Sequence, residues 1–91
     1  MIQGVSCWQG LDIIGAIAKI NNVSIHSERG ECTVRIDIFA SPEQLAMGVV
    51  FNGACENSFI YDPLLDESVF DQAYAYLVTT PAFEGWVPYN V

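Results

Sequence analysis

The stretch Glu31-Cys32-Thr33-Val34-Arg35-Ile36-Asp37-Ile38-Phe39 decides the fold. Cys32, Val34, Ile36 and Ile38 alternate with Thr33, Arg35 and Asp37, the period of two that a half-buried antiparallel strand requires. Phe39 falls on the polar face near the strand end, where it is expected to cover an edge or meet a partner. Just upstream, Glu28-Arg29-Gly30-Glu31 is polar and carries the glycine that a hairpin loop often needs. Further upstream, Leu11 to Ser27 is rich in Ile and Val, a strand composition. Asn21-Asn22 in its middle reads as a bulge in one long strand, with a tight hairpin turn as the alternative. Residues 1–10, where Gly4 and Gly10 bracket Trp8, read as an irregular N-terminal arm.

Downstream, Ser41-Pro42-Glu43-Gln44 has the pattern of a helix start, and Gly48 stops that helix after about one turn. Val49-Val50-Phe51 restarts strand character, Asn52-Gly53 offers a turn or bulge, and Ser58-Phe59-Ile60-Tyr61 completes a strand that Asp62-Pro63 breaks. Asp66 is then expected to cap the principal helix, running roughly from Glu67 to Thr79. Phe70, Ala73, Tyr74 and Leu77 follow the spacing of a buried helix face, widened by Val69 and Tyr76, with Gln72 projecting from the opposite side. Pro81 opens a further turn that Gly85 closes, and residues 86–91 form an apolar C-terminal tail. The order predicts an α+β domain over 1–91: a small antiparallel sheet of three to four strands with one main C-terminal helix packed on one face. An uncovered sheet edge in such a fold is a docking rail for another chain.

With 91 residues the chain makes one domain, yet 52% of it is hydrophobic and only 15% charged. That is more apolar material than so small an interior can hide, and surface apolar patches mark association. Eleven acidic against three basic residues leave a net charge of −8. Lys19, Arg29 and Arg35 are too few to neutralise phosphates, so neither nucleic acid nor an anionic membrane is an expected partner. Cys7, Cys32 and Cys55 are odd in number and show no paired spacing, and the N-terminus lacks a basic start and long apolar run. Synthesis in the cytoplasm with reduced thiols is the expectation.

Chemistry is thinly represented. His26 stands alone in a strand, with Cys32 as its candidate partner across the hairpin and no third member to orient the pair, so an exposed or half-buried strand histidine is the stronger reading. Asp62, Asp66, Glu67 and Asp71 lack the spacing of a calcium loop, and helix capping accounts for Asp66 and Glu67. No phosphate-cradling glycine run is present. No catalytic residue, metal, cofactor or small-molecule substrate is therefore expected. The aromatic residues suit a protein interface better than a stacking platform.

The run Phe59-Ile60-Tyr61-Asp62-Pro63, then Val69-Phe70-Asp71-Gln72-Ala73-Tyr74-Ala75-Tyr76-Leu77, then Thr80-Pro81-Ala82-Phe83-Glu84-Gly85, resembles small proteins encoded by tailed bacteriophages and prophages. Their features are an F-x-x-D-P strand end, a Q-A-Y-x-x-L helix and a closing P-x-F-x-G turn, and many are encoded among virion and tail genes. The resemblance implies a component or accessory protein of the phage particle, not an enzyme.

Together these readings predict a virion structural or accessory protein, of decoration, connector or tail type, made in the host cytoplasm. Its partners would be other virion proteins and copies of itself. The expected interface residues are Trp8, Phe39, Trp86, Val87, Tyr89 and Val91. The alternative of the same size and charge is an acidic phage-encoded inhibitor of a host protein. A small enzyme using Cys32 and His26 ranks below both.

Overall fold

Gln9 and Gly10 both take positive φ between Trp8 and Leu11, which are paired across the chain's first hairpin. Two left-handed central residues match the twist of the strands they join. The residues before that turn therefore form a strand, β1 (Ile2–Trp8), paired antiparallel with β2 (Leu11–His26). The computed structural model describes residues 1–26 and 30–90, without the side chains of Trp8 and Ala54. Glu28 and Arg29 of the expected loop at 28–31 lie outside those residues, but Gly30 has φ +68° as such a loop requires.

β3 (Glu31–Phe39) and β4 (Asn52–Ile60) follow, with a one-turn helix α1 (Pro42–Met47) between them. The Ser41 hydroxyl caps α1 by accepting from Gln44 N, and Gly48 ends it at φ +71°. β5 (Val87–Pro88) comes last, giving one five-stranded sheet in the order β4-β3-β2-β1-β5. Every pairing in it is antiparallel.

The expected α+β fold, a sheet of three to four strands under one main C-terminal helix, is overturned by this arrangement. The chain is chiefly antiparallel sheet, and its one substantial helix, α2, covers only Val69–Leu77. Two physical causes account for the difference. Both chain ends, expected as an irregular arm and a free tail, join the sheet as β1 and β5. The helix is also capped later than expected, at Ser68 in place of Asp66, because the Ser68 hydroxyl accepts from Asp71 N at 3.1 Å.

Two bulges divide the faces of β2. Asn21 is the extra residue between Ile20 and Asn22, so the asparagine pair is a bulge in a single strand. Gly15, at φ +79°, is the extra residue opposite Gly4 and Val5. A one-residue slip sends later side chains to the other face, so Ile14 shares a face with Ile17.

The core lies on one face. Cys32, Val34, Ile36 and Ile38 line it from β3, joined by Ala16, Ala18 and Ile20 of β2. Ala73 and Leu77 of α2, Phe83 of the 3-10 turn Pro81–Phe83, and Trp86 enclose them. Phe70 stays exposed, and the helix stripe instead runs through Val69, Ala73 and Leu77. On the opposite face Ile17 and Phe39 are cross-strand partners and both are buried, where α1 lies against β2 and β3.

Gln72 is also buried, contrary to its expected outward position. Its amide closes the loop between β4 and α2 like a clasp. Oε1 accepts from Asp62 N at 2.9 Å, while Nε2 donates to Asp62 O at 2.8 Å and Glu67 O at 3.2 Å. Buried polar groups are retained where all their hydrogen bonds are met, and here the side chain replaces a missing strand partner.

Candidate assembly surface

The expected interface residues are dispersed by the fold. Phe39 is buried beside Ile17 and Trp86 is buried in the core, so neither presents a free surface to a partner. The ring of Trp86 meets that of Phe83 edge-on, with centroids 4.9 Å apart. Val87 lies in β5 and is exposed, whereas Tyr89 is half-buried and its N–H donates to Met1 O at 2.8 Å. The tail is thus fastened along β1. The side chain of Trp8, and Val91, lie outside the described residues.

The apolar excess reaches the surface elsewhere. Val5 and Ile14 are cross-strand partners exposed on the face opposite the core, Ile14 at 81%. The Gly15 bulge causes this, since without it Ile14 would turn to the core face. A second group flanks β4. Val49 and Val50 stand exposed before it, Ile60 at its last position, and Leu64 and Leu65 after it, with Leu64 at 93%. Apolar side chains this exposed are what a binding surface supplies. Leu64-Leu65, set between Pro63 and Asp66 without a periodic partner, was the sequence signal for this second group.

β4 is also an edge strand. Among the described residues no strand pairs with its outer side, whereas β5 covers β1 at Ile2 and Gln3. A groove of about 260 Å³ runs beside β4, lined by Glu31, Ser58, Phe59, Ile60 and Tyr76. Phe59 and Tyr76 stack there at 5.8 Å. Along the face opposite the core, Arg35 reaches Glu56 at 3.6 Å, and the hydroxyls of Thr33 and Ser58 lie 3.1 Å apart.

The groups with possible chemistry stay apart. His26 pairs with Glu31 and Ile25 with Cys32, so His26 and Cys32 project from opposite faces. Cys32 is fully buried, and burial pushes its thiol up. Burial does the same to Cys55, with a further push from Asp37. Among the described residues no group of His, Cys, Asp and Glu is arranged to hold a metal ion. Among the described residues no helix is long and apolar enough to cross a membrane. A mostly apolar cleft of about 320 Å³ separates α2 from β1 and β5, walled by Ile2, Tyr74, Ala75, Val78, Trp86 and Pro88. Met1 and Asp71 also border it, and burial lowers the Met1 amine against the opposing charge of Asp71.

Comparisons with protein-family models, curated proteins and solved structures give no match to this chain.

Proposed function

We propose that this protein acts by protein–protein assembly, as a structural or accessory component of a bacteriophage virion. The observation that carries the assembly reading is the coincidence of an open sheet edge with exposed apolar side chains at both its ends. Val49 and Val50 lie before β4, Ile60 closes it, and Leu64 and Leu65 lie beyond it. An unpaired edge of this kind is a template for another chain. The particle as the setting is supported by the resemblance of the run from Phe59 to Gly85 to phage-encoded proteins. On this reading the partners are other virion proteins and further copies of the chain, and the protein resides in the particle.

Mass spectrometry of purified particles from a lysate carrying the gene tests the setting, and sedimentation of the isolated chain tests assembly. The expected result is a stoichiometric virion protein that self-associates or binds a purified virion protein. A chain that is absent from particles and strictly monomeric, and that captures a host protein through Asp62, Asp66, Glu67 and Asp71, would replace this reading with host inhibition.

A further inference from the structure

The outer edge of β4 has a backbone polarity that can be read from one hydrogen bond. Tyr61 N donates to Gly30 O at 2.8 Å, so the backbone groups of Tyr61 face β3. Direction alternates along an antiparallel strand. Those of Phe59, Asn57 and Cys55 therefore also face β3, and those of Ile60, Ser58 and Glu56 face outward.

From this we infer that β4 is a self-association edge, on which two copies pair β4 to β4, antiparallel, about a two-fold axis through Asn57. The inference deepens the assembly reading above and rests on it.

A second copy is the occupant that the edge itself selects. Residues that pair across the new edge must share one backbone direction, so the two-fold axis has to pass through a residue. Centred on Glu56, the pairing would set two carboxylates directly opposite, which is destabilising. Centred on Ser58, it would set Glu56 against the apolar Ile60. Centred on Asn57, it sets amide against amide, Ser58 against Glu56 of the second copy, and Phe59 against Cys55 of the second copy. Arg35 lies 3.6 Å from Glu56 on that face, and Ser58 brings a hydroxyl to it.

The same register handles the exposed apolar groups. Antiparallel pairing places the Ile60–Leu65 end of one chain beside the Val49–Val50 end of the other, so the two exposed groups cover each other twice. The pairing is isologous and uses up both edges, so it closes at the dimer. The opposite side of the sheet remains available for other partners.

Sedimentation equilibrium of the full chain should give the mass of two chains. Ser58→Pro should give the mass of one, because the Ser58 N–H faces outward and its loss leaves the pairing with β3 intact. Circular dichroism checks that the sheet persists. Asn57→Cys in a Cys7→Ser background should form a covalent dimer on mild oxidation, linked 57 to 57. Facing residues of a non-hydrogen-bonded antiparallel pair lie about 4.5 Å apart at Cα, within disulfide reach. Glu43→Cys on α1 should not cross-link. If Ser58→Pro fails to fold, the Asn57→Cys link decides. A single-chain mass throughout the soluble range, or a dimer lacking the 57–57 link, overturns the pairing. Recovery of the chain from virions alongside either result would keep the virion reading and discard this edge, whereas absence from virions with the link present would keep the edge and discard the virion setting.

Discussion

The indole of Trp86 lies directly over Gly4: a Cβ built on Gly4 would stand 2.4 Å from Trp86 Cγ. Gly4 belongs to β1 and has no positive φ, so the need for glycine here is space, not backbone freedom. The missing side chain is the hole into which the C-terminal segment locks.

Gly4→Ala should therefore destabilise the fold by about 1–3 kcal/mol, the usual cost of overpacking. In a Trp8→Phe background, Trp86 becomes the only tryptophan and its emission should shift to the red as the ring is displaced. Pairing Gly4→Ala with Trp86→Leu should recover part of the loss. Additive effects of the two substitutions in denaturant titrations would dismiss the contact as the cause.

Gln72→Ala should cost about 1–3 kcal/mol, since the Asp62 N–H and two carbonyls lose their part-buried bonds to the buried Gln72 amide. Gln72→Glu is the more informative change. An ionised carboxylate only accepts, and it would face the carbonyls of Asp62 and Glu67. Its folded-state pKa should be raised, so stability should recover as pH falls through that value and be lost as pH rises. A pH-independent loss would argue against the clasp.

Tyr74 lends its hydroxyl to Ile20, whose N–H donates to it at 2.9 Å. β1 pairs β2 only as far as Ala18, so the tyrosine serves a backbone group that β1 does not reach. Burial pushes the Tyr74 phenol above its ordinary range, with the Ile20 bond opposing. The unfolded chain releases this proton near pH ~10 while the folded chain holds it. The associated stability is complete below that pH and lost as pH climbs through the folded-state value. Tyr74→Phe should cost about 1–3 kcal/mol at neutral pH and flatten the alkaline limb relative to the parent chain. Equal alkaline slopes in the two proteins would refute the assignment.

Thiol labelling at neutral pH should rank the cysteines by exposure. Cys7 is exposed, Cys55 partly buried and Cys32 buried. Cys7 should react promptly, Cys55 slowly, and Cys32 only at the rate of unfolding, since burial holds its thiol protonated. Prompt modification of Cys32 in the native protein would reopen chemistry at that residue.

Some of this architecture was legible before folding. The alternation from Cys32 to Ile38 gave a buried face that the structure reproduces residue by residue, and the Ser41-Pro42 helix start and the Asn21 bulge were equally local. Each follows from side-chain period or turn chemistry within a few residues. β1 was not legible, because Gly4 and Gly10 read as loop punctuation; one is a packing hole and the other a turn. In the sequence Trp86 and Phe39 read as interface residues, because an apolar residue near an end looks unaccommodated until its partner, Gly4 or Ile17, is known.

The sequence by itself determined the antiparallel strand, the apolar surplus and the scarcity of reactive groups, since composition and period need no partner to be read. Only the tertiary structure decided where that surplus emerges. Burial depends on which strands become neighbours, and the Gly15 bulge and the outer position of β4 are properties of the assembled sheet, in which Ile14, Ile60 and Leu64 are left outside.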